Sequence, residues 1–253
     1  MTQTRVLPLP DGASVEYLVT GADLPVTLFL PGLGGGIPDS RPLGGGVPGK
    51  KVFAVLPTRE RYADLAEDVA AVADATGATR ALGVSLGAGA LCRLLAAEPD
   101  RFERLVCFLP AVLDTPRGEP AGAWIKALSA AIASGSAEAV GELVSAEVPA
   151  EFRDTKAARA YVAQRTAALL AGGPVPVASL ADDVAVDDVA ALRRVTAPVL
   201  VLGCRGDELH PAEVATRLAA AFPSSTLHVY DEPGVLWHHR DDLRRRISSF
   251  LGN

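Results

Sequence analysis

Six short, continuous apolar runs constrain this chain more than any other feature: VTLFLPG at 26–32, KVFAVLP at 51–57, TRALGVS at 79–85, RLVCFLP at 104–110, PVLVLG at 198–203 and TLHVYD at 226–231. Runs without polar alternation suit strands buried on both faces, because neither side of the pleat is left for water. From the second run onward, helical patterns separate them. Residues 62–75 set Leu65, Val69 and Val72 on one face and close at Gly77. Residues 86–97 are apolar and stop before Pro99; 212–222 and 241–251 give two more helices. Strands alternating with helices at this spacing mean βαβ units, so the expected fold class is α/β with a mostly parallel central sheet flanked by helices. The opening segment, TRVLPLPDGASVEYLVTG, reads as two short strands around the turn Asp11-Gly12.

The alternation fails between residues 113 and 196. Helical patterns cover 121–134, 136–146, 155–171 and 184–195, with a break at AGGPVPVAS, 171–179. Ordinary connections are far shorter than this stretch. The expectation is a helical cap, 113–196, inserted into a core made of 1–112 and 197–253, with Trp124 and Tyr161 as candidate pocket lining.

The formal net charge is −6 and no basic block is present, which speaks against a nucleic-acid partner. Arg244, Arg245 and Arg246 read as the solvated face of a terminal helix. Cys92, Cys107 and Cys204 lie in apolar segments without CxxC spacing, as expected of buried thiols in a reducing cytoplasm rather than a disulfide framework or zinc site. The N-terminus lacks a signal-peptide pattern, and no stretch is apolar enough for a membrane span.

Chemistry concentrates at Gly83-Val84-Ser85-Leu86-Gly87, a G-x-S-x-G pattern. It ends an apolar run and opens a helical one, the strand–turn–helix context in which a serine is lifted above a sheet at a helix N-terminus. A serine hydroxyl needs a base to take its proton. Of the four histidines, His210 sits directly before a helix and reads as a capping or packing residue, and His228 lies within a strand. His238 and His239 follow the last strand, where the base belongs in the order Ser, acid, His; His239 is favoured, with His238 the alternative. Asp207, just beyond PVLVLGCRG, is the candidate acid, with Glu208 as substitute. The N–H groups of Leu86 and of Leu33, in Pro31-Gly32-Leu33-Gly34-Gly35-Gly36, are the candidate oxyanion donors. The same glycines do not read as a nucleotide loop: position 37 is not glycine, Pro38 follows, and no helix is expected to open.

With LFLPGLGGG, ALGVSLGAGALCRLLAAEPDRFERLVCFLPA, PVLVLGCRGDELHP and the C-terminal histidine segment in this order, the chain resembles the α/β-hydrolase superfamily in its capped lipase- and esterase-like branch. The resemblance implies Ser85, Asp207 and His239 as a triad, Leu33 and Leu86 as oxyanion donors, and no metal or organic cofactor. It implies an enzyme that cleaves a small ester, thioester or lactone through an acyl-enzyme. Acyl transfer, cyclisation or a non-catalytic binding role stay open. Two departures bear on the pocket: Pro31-Gly32 stands where many relatives have His-Gly, and PTRERY moves straight into a helix after KVFAVLP.

Overall fold

The computed structural model describes residues 4–173 and 177–252. Its sheet contains β1 (Thr4–Pro8), β2 (Ser14–Thr20), β3 (Val26–Leu30), β4 (Lys50–Val55), β5 (Arg80–Val84), β6 (Arg104–Phe108), β7 (Val199–Cys204) and β8 (Ser225–Tyr230). The order is β1-β2-β4-β3-β5-β6-β7-β8. The pairs β1–β2 and β2–β4 are antiparallel, and every later pair is parallel. Every residue of β3 and of β7 is buried, as their unbroken apolar sequences require.

The helices are α1 (Ile37–Ser40), α2 (Tyr62–Thr76), α3 (Leu86–Ala97), α4 (Glu119–Ala133), α5 (Ala137–Ala146), α6 (Lys156–Ala171), α7 (Val177–Asp182), α8 (Ala212–Ala221), α9 (Val235–His238) and α10 (Arg240–Gly252). On one face of the sheet, Leu65, Val69 and Val72 of α2, Leu91 and Leu95 of α3 and Leu218 of α8 share a core with Leu28, Ala81 and Val201. On the other, Leu243, Ile247 and Leu251 of α10 pack with Phe29, Phe53 and Phe108. Both faces are thus covered, and the register brings the ends of β3, β5, β6 and β7 level: Leu30 pairs with Gly83, Val84 with Phe108, and Phe108 with Leu202. Loops leaving these ends must meet above the sheet.

Helices α4–α7 lie between β6 and β7 in the chain, and Ile125, Leu128, Val140, Val144 and Leu169 form an apolar cluster of their own. Leu33 packs against both this cluster and the main core. The Tyr62 N–H donates to Asp183 at 2.6 Å, and Arg117 donates to the Tyr62 hydroxyl at 2.6 Å, so polar contacts also join the inserted segment to α2.

Three sequence expectations are corrected. Residues 184–195 carry only a 3₁₀ segment, Val189–Arg194. Ala185 and Val186 are fully buried and the Val186 N–H bonds the Leu113 carbonyl at 3.0 Å, an extended attachment incompatible with a helix there; Asp188 then caps the short turn by accepting from the Ala190 N–H. The break at 171–179 is shorter than expected, since α6 runs to Ala171 and α7 begins at Val177; residues 174–176 lie outside the described ones. A helix does open after the loop glycines: α1 is one turn long, with Pro38 in its first turn and Asp39 accepting the Gly36 N–H at 2.7 Å. No helix among the described residues is long and apolar enough to cross a membrane, and all three cysteines are buried and free.

Candidate active site

Ser85 stands between β5 and α3 with φ 50° and ψ −106°, a left-handed backbone that costs a non-glycine residue of order 1–3 kcal/mol. Its neighbours over-determine that conformation. The Ser85 N–H donates to the Phe108 carbonyl at 2.9 Å, and the Ser85 carbonyl accepts from the Gly89 N–H at 3.1 Å. Gly83 and Gly87 make the turn possible by close approach: a Cβ on Gly83 would sit 2.4 Å from the Gly87 carbonyl oxygen, and one on Gly87 would sit 2.8 Å from Leu30 Cβ. The serine is thereby held at the N-terminus of α3, where backbone N–H groups favour negative charge.

The histidine that meets Ser85 is His210. Its Nε2 lies 3.0 Å from Ser85 Oγ, and its Nδ1 lies 3.0 Å from Asp207 Oδ2. The other Asp207 oxygen accepts from the N–H groups of Leu209 and His210, both at 3.0 Å. Asp207 therefore folds its own loop into a tight turn and delivers the imidazole three residues later, while Pro211 fixes the exit into α8. Both side chains are mostly buried, 19 % exposed for His210 and 17 % for Asp207. Burial alone would raise the Asp207 pKa, but the hydrogen bonds from His210 and the loop N–H groups outweigh it and hold the carboxyl below its ordinary value. An ionised Asp207 requires the proton on Nδ1, which leaves Nε2 free to accept from the serine hydroxyl.

The expectation of His239 as the partner of Ser85 is corrected here, and His238 does not replace it. The His239 ring stacks on Tyr230, centroids 5.0 Å apart, with Nε2 3.7 Å from Glu232 Oε1. His238 lies edge-on to Phe152 and 3.2 Å from Glu151 Oε1. The physical reason is local. After β8 the chain turns at Gly234, φ 81°, into α9 instead of extending, and it is Val235, 2 % exposed, that enters the core. His210 precedes α8 yet does not merely cap or pack: an acid three residues earlier, on a turn closed by that acid, brings carboxylate and imidazole together. Asp-x-x-His-Pro was the available signal. Asp207 sits where the sequence put it relative to β7; Glu208 is exposed.

The glycine loop after β3 runs beside the serine: a Cβ on Gly32 would lie 3.5 Å from Ser85 Cβ. The Gly35 N–H bonds the Gly32 carbonyl at 3.0 Å, closing a turn over 32–35 with Gly34 at φ 62°. Among the described residues the Leu33 N–H has no protein acceptor. Leu33 and Leu86 both line a cavity of about 150 Å³ whose other walls include Val55, Leu56, Leu169 and Leu180. Tyr161 does not line it; its hydroxyl donates to Glu147 at 2.9 Å, and its ring packs on Trp237. Trp124 packs against the α4–α6 cluster. Arg59, at the cavity's edge, donates from Nε and Nη2 to the two Asp68 oxygens at 2.8 and 2.7 Å and from Nη1 to Asp11.

Residues 21–245 match the Alpha/beta hydrolase family. The chain belongs to that family. Among solved structures, an esterase from a Rhodococcus species is similar over 100 % of this chain and 98 % of its own at 18 % identity and a TM-score of 0.76. Naproxen esterase from Bacillus subtilis is similar over 99 % and 91 % at 15 % identity and a TM-score of 0.79, and a hydrolase from Pseudomonas aeruginosa over 99 % and 98 % at 23 % identity and 0.73. A 2-hydroxy-6-oxononadienedioate/2-hydroxy-6-oxononatrienedioate hydrolase from Cupriavidus pinatubonensis is 36 % identical over 64 residues, 24 % of this chain and 22 % of that protein. This chain thus spans about a fifth of that curated relative.

Proposed function

We propose that this chain is a serine hydrolase that cleaves a small, uncharged acyl ester or thioester through an acyl-enzyme, with Ser85 as nucleophile, His210 as base and Asp207 as the orienting acid. The observation that carries the reading is the pair of 3.0 Å contacts, Asp207 to His210 and His210 to Ser85. In the first half-reaction Ser85 Oγ attacks the carbonyl carbon as its proton passes to His210 Nε2. The carbonyl oxygen takes up negative charge opposite the Leu33 and Leu86 N–H groups. His210 then gives the proton to the departing alkoxide or thiolate, and an acyl-Ser85 ester remains. Water repeats the sequence with the same base and releases the acid. The ionised Asp207 stabilises the imidazolium each time.

The cavity supports the substrate class. An apolar cavity of roughly 150 Å³ accommodates a benzene-sized group, about six carbons. Its one cation among the described lining residues, Arg59, has Asp68 and Asp11 on its donors and offers no free charge to a substrate carboxylate. The Cupriavidus relative is, by its name, a hydrolase of a dioate. The neutralised Arg59 favours simple esters over a dioate here.

A series of p-nitrophenyl esters from acetate to decanoate tests this, with p-nitrophenyl hydrogen succinate as the charged member. We expect kcat/KM to peak at or below about six acyl carbons and to fall at least tenfold for the succinate relative to the butyrate. Ser85→Ala should abolish turnover and labelling by a fluorophosphonate. A wild-type protein that neither labels nor turns over would sink the reading.

A further inference from the structure

Arg165, on α6, is a buried cation that the chemistry above does not use: its side chain is 12 % exposed. Its Nη2 donates to the Leu33 backbone carbonyl at 3.1 Å. Its Nε lies 3.3 Å from Glu147 Oε2, an ion pair whose geometry falls outside a proper hydrogen bond, and Glu147 also accepts from Tyr161. One turn further along α6, Leu169 covers Gly34 so closely that a Cβ there would lie 2.2 Å from Leu169 Cδ2. A single helix of the inserted segment therefore grips two consecutive residues of the glycine turn, one by its carbonyl and one by contact.

The turn needs such a grip. Residues 32, 34, 35 and 36 are glycine, and Gly34 has a positive φ, so the backbone around Leu33 carries few side chains of its own to fix its place. Glycine accepts either sign of φ, so the sequence itself does not hold this loop in one conformation. The Arg165 hydrogen bond and the Leu169 contact tie residues 33 and 34 of that loop to α6. An electrostatic donor works to the degree that it is already aimed when charge develops, and a displacement of an ångström costs much of its effect. Stability alone is a poor reason for the arrangement, because an apolar residue of similar volume would pack there without the cost of desolvating two charges.

We propose that Arg165 is a positioning residue for the oxyanion-binding turn: by anchoring the Leu33 carbonyl it keeps residue 33 from shifting away from Ser85, in the place from which its own N–H meets the developing charge, and so couples the inserted helices to catalysis. The inference rests on the reading of Ser85 as nucleophile and Leu33 N–H as oxyanion donor. It predicts a loss confined to the transition state.

The test compares Arg165→Met, Arg165→Lys, Glu147→Gln and the double variant R165M/E147Q, which leaves no unpaired buried charge. Each is measured for kcat and KM on p-nitrophenyl butyrate and for Ki of an alkyl trifluoromethyl ketone, whose adduct with Ser85 carries the same oxyanion. For Arg165→Met and the double variant, kcat should fall about 10- to 100-fold, below the loss of an entire donor, KM should change less than threefold, and Ki for the ketone should rise in parallel with the loss in kcat. Arg165→Lys, which keeps a donor, should recover part of both. Glu147→Gln should lower Tm without the paired change in kcat and Ki. If a folded double variant keeps kcat and Ki within twofold of wild type, or loses kcat while Ki stays fixed, Arg165 has only a packing role. A wild type that turns over no ester at all would instead remove the underlying reading, and this inference with it.

Discussion

Two loops at the same end of the sheet, those after β7 and after β8, each carry histidine and acid, yet only one of them brings a histidine to Ser85. In the β7 loop Asp207 bonds the backbone of Leu209 and His210 as well as the His210 ring, so that one carboxylate sets both the fold of the loop and the aim of the imidazole. In the β8 loop the histidines serve other partners: His238 meets Glu151 and Phe152, His239 stacks on Tyr230, and both lie 3.7 Å from Glu232 Oε1. The chain order Ser, Asp, His survives in the first loop with a spacing of three residues and no intervening strand. A base needs a defined distance to its serine and a partner on its far nitrogen, and those are conditions on geometry, which a second strand is one way of meeting and a self-capped turn is another.

The largest expected effect separates the loops directly. His210→Ala should lower kcat for p-nitrophenyl butyrate by three to six powers of ten, on the order of the losses seen when a triad base is removed. His239→Ala should stay within about threefold of wild type, because its ring lies on Tyr230 with no contact to Ser85. The reverse pattern would return the base to the C-terminal loop. Next in size, Asp207→Asn should cost on the order of 10⁴ in kcat by favouring the wrong imidazole tautomer, whereas Glu208→Gln, on an exposed side chain of the same loop, should do little. Equal losses in the two would mean that loop structure, and not the carboxylate on Nδ1, is what the substitution disturbs.

Asp207 also leaves a signature in stability. Its pKa is held below the ordinary carboxylate value by His210 and the loop N–H groups. A depressed pKa in the folded state contributes stability that is complete above the unfolded value, about 3.9, and that disappears as pH falls through the lower folded value. The Tm difference between wild type and Asp207→Asn should therefore be constant from about pH 5 to 7 and narrow steadily below about pH 4. A difference that stays unchanged down to pH 2.5 would mean that the carboxylate draws no net stability from its hydrogen bonds. The alternation of apolar runs that located the sheet was legible because burial on both faces writes a strong pattern: all six runs became strands, with ends moved by a residue or two. The elbow at Ser85 was legible for a similar reason, since only glycine fits at positions 83 and 87. The base was not. His210 sits before a helix, where capping is the commoner role, and the feature that redirects it is a hydrogen bond between two side chains, which leaves no periodicity behind. The same holds for Arg165, whose partner is a backbone carbonyl 132 residues away.

The smallest effect concerns what the β8 loop does instead. His238 reaches across to Glu151, in the short turn between α5 and α6, and packs edge-on against Phe152, while Trp237 stacks on Phe152 at 5.8 Å and meets Tyr161 edge-on at 5.8 Å. These are contacts between the C-terminal loop and the inserted helices. Their ionic part is weak, because Glu151 is 60 % exposed and solvent screens the pair to about 0–1 kcal/mol. The aromatic part is the larger, about 0.5–1.5 kcal/mol for a well-placed ring pair beyond its buried area. His238→Ala should thus lower Tm by only a few degrees, about 2–4 °C per kcal/mol in a chain of this size, with kcat unchanged. Trp237→Ala should lower it more, and both losses should persist in 0.5 M NaCl, since salt removes the ion pair and leaves the ring contacts. If His238→Ala were salt-sensitive and as costly as Trp237→Ala, the loop would be held by charge, and the contrast with the β7 loop would be one of partner identity instead of one between a hydrogen-bonded Ser–His–Asp array and a packing joint.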